Sequence, residues 1–589
     1  MDMRKTVSGR SLLLGVLAIV VCAGPTLAQT LPGRYFRLME AGTARVEARL
    51  NAETNASLES LESKGERHFP YAILPPAVLY AKQHAQNPHY KDPKMLALAI
   101  RIGDLLATED EKGTFEPRGD SDWDTSMWLE AYRVLENDLG DERRARWKKA
   151  IERNVALVLE DARERLDFPW YNTPYIGTSP NHYAQYAGNL LIAGRVFGNK
   201  EWEDLGAAIL KRFATVEQTP DGYWGEHSRN GPTTGYDYLT MSQVAIYWEF
   251  TKDPAAMEAL RRSTDFHKYF TYPDGTPVEV INDRNRRWSV SAWGTFGFSH
   301  FPDGRAYAEF LASFFEPETV SLNDVGRIAQ DALYYHEGPV SDTPMTQQRF
   351  AHRLSIPAGI RKAGPWVVCL SGIVDTSAPL NRFYLDRQGH LSVFHEKLGL
   401  IITGANSKRQ PELATFSEKF PDFTANIPLS GRLQMGEAQD RLSLGYNTFW
   451  ADLLAPEPSG DGVKLRFVIN GRGRPAEDLR INLQLVLKPG ETLETGAGRK
   501  FKLSEEKIEL SPEDLGGSIS HNGWTMKLDP DASLIWPVYP QNPYADAPET
   551  QLRYAVGRLT IPLHLKERSG HYVRPNEKQV ELEINTVRP

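Results

Sequence analysis

Three short stretches gather side chains that can hold a carboxylate and move protons. "TSPNHYAQY" (178–186) places Pro180, Asn181 and His182 at the start of a segment with apolar residues at helical spacing. That spacing predicts a helix, with Ser179 or Asn181 as its candidate cap. A helix N-terminus offers unpaired backbone N–H groups and the positive end of the dipole, which suit an anion. "DGYWGEHSRNGPTTGYDYLT" (221–240) brings Glu226, His227, Ser228 and Arg229, then a Gly-Pro turn, then Tyr236 and Tyr238 as the next helix begins. Tyr223 and Trp224 in the same stretch are candidate stacking surfaces for a sugar ring. "EVINDRNRRWS" (279–289) carries Arg284, Arg286 and Arg287 beside Trp288. A guanidinium pairs bidentately with a carboxylate. His395 in "LSVFHEKLG" and Tyr446 in "LGYNTFW" are candidates for groups delivered to a cleft by a second domain. Each residue also has an ordinary structural explanation: a helix cap, a core tyrosine, a solvated arginine, a buried and hydrogen-bonded histidine.

Together the set matches the demands of β-elimination from a uronic-acid polymer. The sugar carboxylate must be neutralised, so that the proton on the adjacent carbon becomes acidic. A base must take that proton, and an acid must protonate the leaving glycosidic oxygen. Asn181, His182 and the arginines can supply the first act. Tyrosine and histidine can supply the other two. A tyrosine ionises near ~10, so to act as base it needs a cationic neighbour, for which Arg229 or a histidine is placed. A glycoside hydrolase would instead need two carboxylates flanking the bond, and Asp221, Glu226 and Asp237 are the available acids. A non-catalytic glycan-binding protein would use the aromatics and leave the tyrosine and histidine set idle.

The elements that must position these groups follow from periodicity. From about residue 36 to 335 the pattern is helical, as in 93–107, 125–138, 144–162, 182–198, 201–216 and 238–251. Amphipathic helices joined by loops of mixed length, with no short repeat, predict helical hairpins arranged as an incomplete α/α toroid. After about residue 346 the period becomes two. Leu479, Ile481, Leu483, Leu485 and Leu487 share one face, as do Leu559, Ile561, Leu563 and Leu565. Residues 391–404 and 579–587 also read as strands. Pro562 predicts an edge or a bulge for its own strand. The expected architecture is multidomain, α then β. It comprises a signal peptide (1–28), an incomplete α/α toroid as catalytic domain (29–345) and an antiparallel β-sandwich domain (346–589).

Composition bounds the function classes. The 589 residues carry a formal charge of −8, so a nucleic-acid partner is not expected. A local basic cleft on an acidic protein can still hold an acidic polysaccharide. Arg4, Lys5 and Arg10 precede an apolar run from Leu12 to Ala23, and small residues end at Ala28. This is the pattern of a secretory signal peptide, and it places the mature protein in the periplasm or outside the cell. A lipoprotein signal at Cys22 fits less well, because Val21 precedes it. No later segment is long and apolar enough to span a membrane. Cys22 and Cys369 are the two cysteines, so the mature chain has neither an internal disulfide nor a cysteine metal site. No cofactor is required by this chemistry, and a structural metal ion is compatible with it. The loop around 109–124 is a candidate for setting endo or exo action. The oligomeric state is not encoded in any feature of the sequence.

These residues resemble those of the heparinase II/III-like and alginate lyase type of polysaccharide lyases. The resemblance spans nearly the whole mature chain in architecture and rests on short motifs. It implies an α/α toroid joined to a β-sandwich, with the cleft where they meet. It also implies an Asn-His pair, or one of the two, at a helix start, a catalytic tyrosine farther on, and a histidine from the β domain. Asn181-His182 matches the pair, Tyr236 the tyrosine by order and spacing, and His395 the β-domain histidine. The family often places its tyrosine soon after a Glu-x-Ser motif. Here Glu226 and Ser228 are followed by a Gly-Pro insertion, which leaves the choice between Tyr236 and Tyr238 open. The implied activity is cleavage of alginate, a glucuronan or a glycosaminoglycan-like polymer to unsaturated uronate ends. In the implied roles Asn181 and His182 neutralise the carboxylate, Tyr236 is the acid and also a candidate base, and His395 assists.

Overall fold

The helical half forms α1 (Leu31–Ala52), α2 (Leu58–Glu62), α3 (Leu74–Ala81), α4 (Pro93–Glu111), α5 (Ser121–Leu135), α6 (Asp141–Ala156), α7 (Leu159–Asp167), α8 (Pro180–Phe197), α9 (Lys200–Arg212), α10 (Thr234–Thr251), α11 (Pro254–Tyr269), α12 (Pro302–Ala312) and α13 (Leu322–Tyr334). The computed structural model describes residues 30–587 except 54–55, 63–67, 116–120, 168–179, 226–230, 283–292, 375–388, 405–409, 473–475, 543–544, 546 and 566–576. Helix starts follow local chemistry. Asp92 and Asp253 each accept a hydrogen bond from the backbone N–H two residues on, with proline at the first helical position. No helix among the described residues is long and apolar enough to cross a membrane.

The helices build a toroid. α3, α5, α8, α10 and α13 pack each against the next around an inner ring, with a 3-10 turn at Thr295–His300 between the last two. α1, α4, α6, α9, α11 and α12 back them from outside. The tightest pairing, α8 with α9, depends on glycine. A Cβ at Gly194 would lie 2.3 Å from the Glu203 backbone nitrogen, and one at Gly206 would lie 2.5 Å from the Ala187 carbonyl oxygen.

Side-chain contacts fix the direction of the inner helices. Gln243 Nε2 donates to Gln185 Oε1 at 3.0 Å, and Arg195 Nη2 donates to the Phe250 carbonyl at 3.4 Å, so α8 and α10 run parallel. His182 meets Asp122 near one end of α8, and Phe197 meets Tyr132 near the other, so α5 runs parallel to them. Three neighbouring N-termini therefore emerge at one end of the ring. The expected loop at 109–124 is shorter than the sequence suggests, because 109–111 close α4 and 121–124 open α5.

The second half is two antiparallel sheets around one core. The first sheet opens with β1 (Arg349–Arg353), β2 (Ala358–Ala363), β3 (Trp366–Ser371), β4 (Leu391–His395) and β5 (Gly399–Thr403). It continues through the strands 478–485, 556–562, 533–538 and 508–510. The second sheet runs 500–502, 492–495, 518–521, 524–527, 577–586, 462–471, 449–456, 439–445 and 430–435. Leu479, Ile481, Leu483 and Leu485 enter the core between the sheets, as their alternation predicts. Residues 391–404 form a hairpin rather than one strand, with Gly399 at φ 79° where only glycine is comfortable. The strand ending at Pro562 is not an edge strand. Its pairing with 533–538 begins at Thr560, so Pro562 lies beyond that ladder and faces a partner, Arg480, on one side only.

A third core joins the halves. Phe266, Phe270, Tyr272, Val280 and Ile281 of the helical half pack on Ile360, Val367, Cys369 and Phe394 of the first sheet. Tyr272 stacks on Phe394 with ring centres 4.6 Å apart, and its hydroxyl lies 2.6 Å from Ser392 Oγ. Buried Glu279 accepts from Tyr272 OH, Thr403 Oγ1 and Gly404 N, each at 3.0 Å.

Candidate active site

The end of the ring where α5, α8 and α10 begin carries the candidate chemistry. Asn181 is the second residue of α8, so it stands inside the helix rather than capping it. Its side chain is buried, and Oδ1 has no hydrogen-bond partner among the described residues. A buried amide oxygen without a partner is costly unless a ligand or a water bonds to it. His182 beside it is half-buried, and its Nδ1 lies 3.3 Å from Asp122 Oδ2. A carboxylate acceptor requires the proton on Nδ1, which fixes the ring orientation. Trp123 meets the same imidazole edge-on at 5.4 Å.

Tyr236 is the third residue of α10 and is half-buried. Four and seven residues on, Thr240 and Gln243 share its helix face, and Gln243 bonds to Gln185 of α8. Tyr236 therefore stands on the stripe of α10 that faces α8, at the level of the helix start bearing Asn181. The network beneath is continuous. Gln243 donates to Gln185, Gln185 to Asn189 at 3.0 Å, and Asn189 to the Asp122 carbonyl at 2.8 Å. It locks the three helix starts in register.

Asp237 anchors the start of α10. Its Oδ1 accepts from the Trp224 backbone N–H at 2.6 Å, and Oδ2 lies 2.7 Å from His267 Nε2, with both side chains fully buried. Burial raises its pKa against the pull of His267. Asp221 is likewise engaged, accepting from the backbone N–H and hydroxyl of Ser355 at 2.7 and 2.6 Å.

Several expected site residues lie elsewhere. Tyr238 points to the opposite side of α10, as a two-residue step of about 200° demands. It stacks on His267 at 4.0 Å, and its hydroxyl lies 2.8 Å from Tyr307 OH. Burial pushes its pKa up to about 12. It is a core residue and not a substrate contact. Trp224 is buried with Nε1 donating to the Phe213 carbonyl, and Tyr223 is buried against Phe266. Neither offers a stacking face. Tyr446 lies in the sandwich core, stacked on Phe449 at 4.7 Å, with its hydroxyl 3.0 Å from His390 Nε2. His395 does share the face of Leu391 and Val393, but that face looks into the sandwich, while Phe394 looks toward the helices. Its ring packs edge-on against Trp366, and Nδ1 accepts from the Lys397 and Leu398 N–H groups, closing the β4–β5 turn. Glu226, His227, Arg229, Arg284 and Arg287 lie outside the described residues. The ends of their first segment are joined by an antiparallel bridge between Gly225 and Pro232.

One group escaped the sequence reading. Arg327 of α13 is buried, donates from Nη2 to Tyr71 OH at 2.7 Å, and sits 4.9 Å from the Trp123 ring and 5.7 Å from that of Trp293. Its Nε and Nη1 have no hydrogen-bond partner among the described residues. The signal was an arginine on the apolar face of a helix, between Val325 and Ile328. A separate concavity on the second sheet is lined by Lys464, Arg466, Lys527, Glu581 and Glu583, side chains of both charges.

No family model and no curated protein matches the sequence. Among solved structures, the chain is similar to the chondroitin AC lyase of Streptomyces coelicolor A3 in complex with chondroitin sulphate. The TM-score is 0.52 at 13% identity, over 94% of this chain and 79% of that one. It is also similar to a heparinase III, with TM-score 0.52 at 12% identity, over 88% of this chain and 76% of that one. At these identities the likeness is one of fold: an α/α toroid followed by a β-sandwich domain.

Proposed function

We propose that this chain is an exported polysaccharide lyase that cleaves a uronic-acid-containing polymer by β-elimination. The observation that carries the proposal is the placement of Asn181-His182 and Tyr236 on facing stripes of two parallel inner helices, at one end of the toroid. Three helix N-termini there favour an anion. The Asn181 amide and the His182 ring would neutralise the sugar carboxylate and acidify the neighbouring carbon–hydrogen bond. Tyr236 would protonate the leaving glycosidic oxygen. In the alternative division of roles, His182, oriented by Asp122, would act as the base. The division between clamp and base is part of the proposal. Arg229, Arg284 and Arg287 remain proposed partners of the acidic polymer, and His227 and Glu226 proposed contacts.

The two solved structures described above bear the names of glycosaminoglycan-cleaving enzymes, which supports the lyase reading and puts chondroitin and heparin-type polymers beside alginate and glucuronan as substrates to test. A glycoside hydrolase is less well supported. Asp237 is buried under Trp224 and His267, and Asp221 is spent on Ser355. The test is a panel of acidic polysaccharides followed by ultraviolet absorbance. A lyase generates an absorbing unsaturated uronate. A hydrolase yields new reducing ends without that absorbance, and a binding protein yields neither.

A further inference from the structure

At the far end of α10 from Tyr236, roughly 20 Å along the helix, three side chains converge. Glu249 stands in the last turn of α10, His300 ends the 3-10 turn, and His336 follows α13 by two residues. One donor atom from each lies within 4.8 Å of the others. His336 Nε2 is 2.6 Å from Glu249 Oε1, and His300 Nε2 is 3.5 Å from the same oxygen. The two imidazole rings face each other with centres 4.3 Å apart. The His300 side chain is 4% exposed, and its Nε2 has no hydrogen-bond partner among the described residues. An imidazole nitrogen aimed into a polar cluster with nothing to bond is a costly arrangement unless something binds there.

We propose that Glu249, His300 and His336 bind one divalent first-row transition-metal ion, Zn²⁺ by the chemistry of the donors. Two imidazoles and a carboxylate suit such ions, whereas Ca²⁺ and Mg²⁺ want oxygen alone. Ligands on a tetrahedral ion with bonds of about 2.0 Å stand roughly 3.3 Å apart, close to the His300–Glu249 separation. Coordination replaces the His336–Glu249 hydrogen bond, and the Nε2 proton of His336 passes to Nδ1 or to solvent. The outer groups are in place. Lys252 Nζ holds Glu249 Oε2 at 2.8 Å, turning Oε1 toward the histidines, and Ser299 Oγ accepts from the His336 backbone N–H at 3.0 Å. His336 is 42% exposed, so a water completes the shell from solvent. The ion would tie the end of α10, the 3-10 turn and the exit of α13 together, a brace for the ring rather than a part of the proton-transfer site.

The experiment uses the untagged full chain, stripped with a chelator and titrated calorimetrically with ZnCl₂, with CaCl₂ in parallel. The expected result is saturation at one Zn²⁺ per chain with a raised melting temperature, and no such response to Ca²⁺. His336→Ala, at an exposed ring, should fold normally. Outer-shell partners alone are worth about 10–100-fold in metal affinity, so loss of this ligand should weaken Zn²⁺ binding by at least about 100-fold, and Glu249→Gln should do likewise. Absent binding in the parent chain, an equal response to Ca²⁺, or unchanged affinity in both variants would overturn the assignment. None of these readouts depends on lyase activity.

Discussion

Two tyrosines separated by one residue leave α10 on opposite sides, and their substitution should have opposite consequences. Tyr238→Phe removes a buried hydroxyl contact with Tyr307 and should cost about 0.5–1.5 kcal/mol of stability, read by denaturant unfolding, while the rate of ultraviolet-absorbing product stays near that of the parent. A folded Tyr238→Phe without activity would reverse the assignment. Asp122→Asn keeps the shape but not the charge that orients His182. General acid–base groups are worth about 10²–10⁴-fold, and losing the group that positions one should lower kcat by at least about 10-fold with an unchanged melting temperature. An unaltered kcat would detach His182 from the chemistry. The Asn181-His182 pair was readable because an apolar period beginning at a Pro-Asn-His announces a helix start. The fate of His395 was not. Alternation correctly grouped it with Leu391 and Val393, but no local pattern says which face of a strand meets the toroid. Arg327 was marked by its place on an apolar helix face, but its contact with Trp123 was out of reach, since it joins α13 to α5.

At the scale of elements, the inner helices bury polar groups that titrate. Asp331 of α13 accepts from the Phe296 backbone N–H at 2.9 Å, and burial raises its carboxyl to about 7 from an ordinary 3.8. A carboxyl with a raised folded pKa stays protonated in the fold after it would ionise in the unfolded chain. Its contribution to stability is therefore full below about 3.8 and is lost as pH rises to about 7. Asp331→Asn should flatten the fall in melting temperature across that interval. An undiminished pH slope in the variant would mean that another group carries it. The helices themselves were legible from periodicity at the level of existence. Their ends were not, because tertiary contacts set them. Residues 144–162 divide into α6 and α7, with Asn154 turned to bond Asp110 of α4.

The whole molecule holds its two halves together through Tyr272, Glu279 and Phe394, a buried polar and aromatic seam. The α-then-β order was readable from the change of period near residue 346, whereas the seam was not, because its residues look like ordinary core in either half. Among the described residues the candidate groups stand in the helical half, since those expected from the sandwich, His395 and Tyr446, point into its interior. In the proposed mechanism, proton transfer rests on α8 and α10. Tyr236 is the proposed donor to the leaving oxygen, and the decisive comparison is the purified full chain beside Tyr236→Phe, on whichever acidic polysaccharide gives the strongest ultraviolet signal. The variant should lose that signal by about 10²-fold or more while still binding the polymer. A variant that cleaves at close to the parental rate would contradict that role.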